Sequence, residues 1–118
     1  MNPSKELLRE VLDIEINEKC KVVENKNYIL VIRYKDTDYG RQNKTLININ
    51  IHELAYKCKK WALNEGYELV EGSDVICVYK MSDNTGDECF SASTSDKDFD
   101  IERFFRCCEW ILEQKAKS

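Results

Sequence analysis

The chain has 118 residues, a length typical of one domain, with 42% apolar residues, 34% charged residues and a single proline. This composition excludes a disordered tail and a disulfide-rich miniprotein, and it predicts one α+β domain over residues 1–118. The sequence has no apolar run of membrane-spanning length and no secretory signal pattern at its amino terminus. We therefore expect a cytoplasmic protein.

The formal net charge of −4 is unevenly distributed along the chain. Residues 65–102 contain eleven acidic residues and two lysines, a net charge of −9, so the remaining residues carry +5. An acidic half of this kind disfavours direct contact with nucleic acid and suits a basic protein surface. The expected partner is therefore a protein, with no direct nucleic-acid contact and no membrane.

The first predicted element is a helix over residues 4–15, with Ser4 as its N-cap and Leu8, Val11 and Leu12 on one face. Residues 20–23 and 28–35 are typical of a β-hairpin. The second strand is apolar at four consecutive positions, 29–32, which predicts a strand covered on both faces. Residues 36–44 are polar and predict a loop, and residues 45–49 fit either a short strand or an extended lead-in.

The strongest local pattern predicts a second helix after Asn50. Asn50 and Glu53 have the spacing of a capping box, and Ile49 and Leu54 have that of a hydrophobic staple. Apolar residues then recur every three or four positions until Gly66, which suits the position just past a helix end.

Three further strands are predicted at residues 67–71, 75–81 and 88–93, followed by a helix from about residue 98 to about residue 115. The order predicts a mostly antiparallel sheet of four to five strands with three helices packed on it, a layered sandwich. The predicted core consists of Leu8, Val11, Leu30, Ile32, Leu54, Cys58, Ala62, Val78, Phe105, Cys108 and Ile111.

The six cysteines contain no C-x-x-C pair, and a cytosolic chain keeps its thiols reduced. Cys107 and Cys108 are adjacent on the last helix, where side chains diverge by about 100°, so the two cannot readily share a metal ion. A zinc site built from Cys77, Cys89 and a helix cysteine is the alternative. We expect buried, free thiols, no metal and no cofactor.

Two other motifs have a functional and a structural interpretation. Asp96, Asp98 and Asp100 have the first spacings of a calcium loop, but Ile101 and Cys107 stand where that loop needs glycine and glutamate. We expect these acids to cap the last helix instead. The hydroxyls in residues 91–95 fit either a phosphate site or an outward strand row followed by a cap.

The only histidine and the lysines of the second helix carry little evidence for catalysis or for nucleic-acid binding. His52 precedes Glu53, but no nucleophile or second carboxylate accompanies the pair, so we expect a solvated residue at the helix start. Lys57, Lys59 and Lys60 are expected to form the solvated back of the second helix.

Two stretches, "INIHELAYKCKKWALNEGYEL" (49–69) and "ECFSASTSDKDFDIERFFRCCEWILEQK" (88–115), resemble small phage and prophage proteins described as an α-β-α sandwich. In those proteins an amphipathic helix ends in a glycine-aromatic step into the sheet, and a strand leads into a carboxy-terminal helix. The resemblance implies a phage or mobile-element origin and a sandwich fold, and it implies no catalytic residue.

Two functions are expected to compete. The first is a non-enzymatic inhibitor or immunity-type protein that binds a basic surface of a host or toxin protein. Its acidic face would comprise Asp83, Asp87, Glu88, Asp96, Asp98 and Asp100. The second is a binder of small ligands such as nucleotides, with a pocket between sheet and helix near Tyr56, Trp61 and Tyr79.

Overall fold

The computed structural model describes residues 3–82, 86–93 and 100–117. Three helices occur, α1 (Lys5–Leu12), α2 (Ile51–Asn64) and α3 (Ile101–Lys117). One three-stranded antiparallel sheet has the order β1 (Cys20–Glu24), β2 (Tyr28–Thr37) and β3 (Gly40–Asn50). A second has the order β4 (Tyr67–Glu71), β5 (Val75–Lys80) and β6 (Glu88–Ser93).

The α+β class with three helices is confirmed, but the prediction of one sheet of four to five strands is wrong. The described residues form six strands in two sheets, each a meander of consecutive strands. Helix α2 begins at Ile51, immediately after β3 ends at Asn50, and it packs against both β3 and β4. The helix thus carries the chain away from β3 before β4 begins. As a result, β3 and β4 belong to different sheets.

The prediction of a loop over residues 36–44 is also wrong, and residues 45–49 are strand. β2 and β3 pair from Tyr28 opposite Asn50 to Thr37 opposite Gly40. The connecting turn is tight, because the Thr37 hydroxyl donates to the Gly40 carbonyl at 2.7 Å and Gly40 adopts a left-handed φ of 113°. Backbone hydrogen bonds between β2 and β3 therefore hold most of residues 36–44 in a strand conformation, although this segment is polar and has no alternating apolar pattern.

The first sheet is covered on one face only, contrary to the predicted covering of β2 on both faces. Ile29 and Val31 are fully buried against the helices. Leu30 and Ile32, both predicted core residues, point to the other face and are only half-buried. This arrangement follows from the period of two along a strand, since the layer of helices lies on one side.

Helix α3 lies at the centre of the core, which explains why apolar residues cover a large part of its circumference. Phe104, Phe105, Cys107, Cys108 and Ile111 are all fully buried on it. It packs against α2 on one side and against β5 and β6 on another. The remaining predicted core residues Leu8, Leu54, Cys58, Ala62 and Val78 are buried as expected, and Val11 is half-buried against the same core.

The helix ends follow the predicted capping chemistry. Ser4 Oγ accepts the Leu7 amide at 3.1 Å, and Asn50 Oδ1 accepts the His52 amide at 2.8 Å. α1 ends at Leu12, earlier than predicted, because Asp13 adopts a left-handed conformation with φ 54°. Gly66, with φ 90°, follows the last residues of α2 and turns the chain into β4. Of the helices in the described ranges, none is long and apolar enough to span a membrane.

Candidate functional site

The open face of the second sheet is the surface on which the sequence-predicted residues meet. On the face toward the helices, Leu69, Ile76, Val78 and Ala92 are buried. Cross-strand register places Glu68, Tyr79 and Glu88 in one row on the opposite face. A second row beside it contains Val70, Cys77 and Ser91. We call these six residues the open acidic face.

Solvent exposure shows that this face is not part of the core. Val70 is 42% exposed, and Glu68, Glu88 and Ser91 are exposed as well. Cys77 and Tyr79 are half-buried, because neighbouring side chains on the same sheet face cover them partially. The face therefore combines a half-covered aromatic ring and a thiol with two flanking carboxylates.

The surroundings raise the pKa values of two groups on this face, Cys77 and Tyr79. Burial raises the pKa of the Cys77 thiol, and the nearby Glu88 carboxylate raises it further by its charge and a hydrogen bond. The pKa of Tyr79 is also raised, chiefly by the charge of Cys77, with burial and Glu88 adding to the effect. A raised pKa lowers the thiolate fraction of Cys77 and with it the reactivity of the thiol.

The predicted acidic face is described only in part. Asp87 and Glu88 are exposed where β6 begins, and Glu88 belongs to the open acidic face. Asp100 is half-buried, and its Oδ1 accepts the Glu102 amide at 2.9 Å, which is the expected capping role at α3. Asp83, Asp96 and Asp98 lie outside the described residues. The predicted acidic face does not include Glu68. The alternation of polar and apolar residues in β4 nevertheless indicates that Glu68 points away from the helices.

The three residues of the predicted ligand pocket do not come together. Tyr56 is 60% exposed on α2, where Lys60 Nζ lies 5.5 Å from its ring centroid. Trp61 is buried and lines a surface depression between α1 and α2. Tyr79 faces away from both helices on the far side of the second sheet. The three side chains therefore lie on three different surfaces, and only Tyr79 remains in the candidate site.

The two adjacent cysteines of α3 face different neighbours. Cys107 Sγ lies 3.8 Å from the Ile76 carbonyl oxygen of β5, and Cys108 Sγ lies 3.9 Å from the Cys58 carbonyl oxygen of α2. Burial raises the pKa of Cys107 to about 12. A hydrogen bond with Cys58, together with burial, raises the pKa of Cys108 well above its usual range. These thiols are part of the core packing.

The geometry does not assemble the zinc alternative in the described part of the chain. Cys77 lies on the open acidic face and Cys89 is exposed on β6, whereas Cys107 contacts the sheet from the helix side. No three His, Cys, Asp or Glu side chains within the described ranges are grouped closely enough to hold a metal ion. The expectation that all six thiols are buried is wrong for Cys89, which is exposed beside the β6 bulge, and for Cys77, which is only half-buried.

The other motifs have structural roles where they are described. Ser91 and Ser93 are exposed on β6 with Ala92 buried between them, which is the outward strand row rather than a phosphate cradle. His52 is exposed in the first turn of α2. Lys59 is not simply solvated as expected, because it pairs with Glu71 and lies 5.8 Å from the ring centroid of Phe104.

Comparison of the chain with known protein families, with curated proteins and with solved structures gives no match.

Proposed function

We propose that this chain is a small non-enzymatic protein that binds a basic surface of a host or toxin protein through its open acidic face, as an inhibitor or immunity-type protein. The supporting observation is the row in which Glu68 and Glu88 flank Tyr79 across three strands, on a sheet face that the helices leave uncovered. The proposed phage or mobile-element origin rests on sequence resemblance alone.

The chemistry of this row suits protein recognition. Tyrosine is enriched at the energetic centres of protein interfaces, because it offers a large, rigid contact area with a polar end. Exposed Val70 and Met81, at 42% and 58%, add apolar area near the same sheet. Carboxylates around such a centre attract a cationic partner and disfavour wrong ones.

Electrostatics extends this preference beyond the row itself. Residues 65–102 have a net charge of −9, and their described strands all lie in the second sheet. Like charges on neighbouring strands reinforce one another over a screening length of about 8–10 Å. Since such a surface repels itself, a basic partner would relieve an unfavourable field.

Affinity capture with charge-reversed variants tests this function. The variant Glu68→Lys/Glu88→Lys reverses both carboxylates that flank Tyr79, and Glu15→Lys/Glu18→Lys changes the net charge equally at two exposed sites of the α1–β1 connection. We expect a protein partner to be recovered with the parent and with the control variant, and to be lost with the first. Equal recovery with all three proteins would contradict the proposal.

A further inference from the structure

The end of the β2–β3 hairpin forms a two-stranded arm that extends beyond the rest of the first sheet. β1 pairs with β2 only as far as Arg33, whereas β2 and β3 continue to pair from Arg33 and Lys44 out to Thr37 and Gly40. Side chains along this extension are exposed or half-buried, and Tyr39 at the tip is 98% exposed. We call residues 33–44 the arm.

One side of the arm carries cations and no acid. Alternation along the strands places Arg33, Lys35, Lys44 and Gln42 on the same side. Lys19, at the base of the arm, lines a surface depression together with these three cations and with Tyr34 and Asp36 from the other side. No ion-pair partner for Lys19, Arg33, Lys35 or Lys44 occurs within residues 3–82, 86–93 and 100–117.

On the other side of the arm, the charge of Arg41 is compensated by an acid. Arg41 Nε lies 3.3 Å from Asp36 Oδ1, and the Arg41 guanidinium lies 5.3 Å from the ring centroid of Tyr34. The acids of the arm are thus Asp36, which is paired with Arg41 on that side, and Asp38, which is in the turn. The uncompensated positive charge is concentrated on the first side.

We propose that the arm binds duplex DNA, with its cationic side against the phosphates and its two strands in the major groove. The major groove of B-DNA is about 12 Å wide and admits a two-stranded β-ribbon. Gln42 on the cationic side supplies an amide of the kind that bonds base edges, as Asn43 does on the other side, and four cations supply the phosphate contacts. An acidic protein surface would need neither the ribbon shape nor the amides.

The arm belongs to the basic half of the chain, which the expectation of no nucleic-acid contact did not consider. Residues 19–50 contain seven Lys or Arg and three acids, a net charge of +4. The arm belongs to the first sheet, whereas the described strands of the acidic segment form the second. The acidic second sheet therefore need not prevent binding at the arm. This inference does not depend on the function proposed for the open acidic face.

Fluorescence anisotropy of a short labelled DNA duplex of mixed sequence, titrated with the full chain, tests the proposal. Four phosphate contacts predict a slope of about −3.6 when the logarithm of the association constant is plotted against the logarithm of the salt concentration. This slope corresponds to an affinity loss of about 150-fold between about 50 and about 200 mM salt.

Two variants with the same loss of charge make the test specific. Lys35→Gln/Lys44→Gln removes two cations from the arm, and Lys5→Gln/Lys60→Gln removes two exposed lysines from α1 and α2. We expect the first pair to reduce the steepness of the slope by about 1.8 and the second to leave it unchanged, with equal melting temperatures. Equal binding by both variants, no measurable binding by the parent, or equally effective competition by polyglutamate would each overturn the proposal.

Discussion

Tyr79 of β5 and Glu88 of β6 are cross-strand partners on the sheet face opposite the described helices, and Glu68 of β4 is the partner of Tyr79 on its other side. A phenol between two carboxylates is an arrangement that a cationic side chain can complement with both charge and ring contact. The same face holds Cys77, whose pKa is raised by burial and by the nearby Glu88 carboxylate. Recognition of a basic partner by this face is therefore the function that we propose.

Phe105 is expected to be the most sensitive apolar position of α3. Its side chain is fully buried in the helix that both α2 and the second sheet contact. Phe105→Ala should lower the free energy of unfolding by about 3–5 kcal/mol, through lost transfer energy and the cavity left behind. Urea denaturation measures this loss, and a decrease below about 1 kcal/mol would contradict the described phase of α3.

Two of the three guanidinium nitrogens of the buried Arg103 have unsatisfied hydrogen-bond donors in the part of the chain that the structure describes. It is only 7% exposed, and its Nε and Nη1 have no hydrogen-bond acceptor within the described ranges. Because an unpaired buried charge is costly, Arg103→Met should leave the melting temperature unchanged or raise it. Arg106→Met is the matched control, since Arg106 is exposed and Nη1 donates to the Ser93 carbonyl at 3.1 Å. A stability loss of more than about 3 kcal/mol for Arg103→Met would instead mean that an anion pairs with this guanidinium.

The thiols should differ in reactivity according to their environment. Cys89 is exposed on β6 and Cys77 is half-buried, whereas the other four cysteines are buried. Titration of the native protein with a coloured disulfide should show one fast thiol, and Cys89→Ser should abolish that phase. After denaturation all six thiols should react. A fast phase that persists in Cys89→Ser would show that Cys77 or one of the four buried thiols is more accessible than the structure indicates.

Alkaline pH should destabilise the fold through Cys107. Burial raises the pKa of this thiol to about 12, whereas an unfolded thiol titrates near about 8.5. Between these values the folded chain retains a proton that the unfolded chain releases, so the free energy of unfolding falls as pH rises. The stabilising contribution is fully present below about pH 8.5 and is lost as pH approaches about 12.

The matched comparison is between the parent and Cys107→Ala. The parent should lose at most about 1.4 kcal/mol more per pH unit than the variant in this range, because one thiol titrates. Urea denaturation at a series of pH values measures the difference. Parallel pH profiles would mean that the thiol already titrates normally in the folded protein.

The parts of the fold that could be predicted from sequence are those with local chemical signals. Asn50 and Gly66 mark the ends of α2 because a cap and a left-handed residue are chemical necessities at those positions. The strand extension over residues 36–44 could not be predicted, because its stability comes from backbone bonds across the arm. The half-burial of Leu30 depends on which side of the sheet the helices occupy, and no local pattern specifies that.

The negative charge of the candidate site could be predicted from the sequence, but the residues that form it could not. The excess of acids over residues 65–102 is visible in the sequence. The juxtaposition of Glu68, Tyr79 and Glu88 depends on the register of three strands, including a bulge between Val78 and Tyr79. Conversely, the predicted ligand pocket rests on the shared aromatic character of Tyr56, Trp61 and Tyr79. These side chains lie apart because they project from different sides of α2 and from the opposite face of the second sheet.

The association rate of the partner protein recovered by affinity capture, measured against ionic strength, tests the central claim most directly. The screening length falls from about 30 Å at 0.01 M to about 3 Å at 1 M salt, so a rate that depends on the open acidic face must fall over this range. We predict that Glu68→Lys/Glu88→Lys associates more slowly than the parent at low salt, that the two rates converge at high salt, and that Glu15→Lys/Glu18→Lys behaves more like the parent. A parent rate independent of salt and equal to that of Glu68→Lys/Glu88→Lys would contradict the claim.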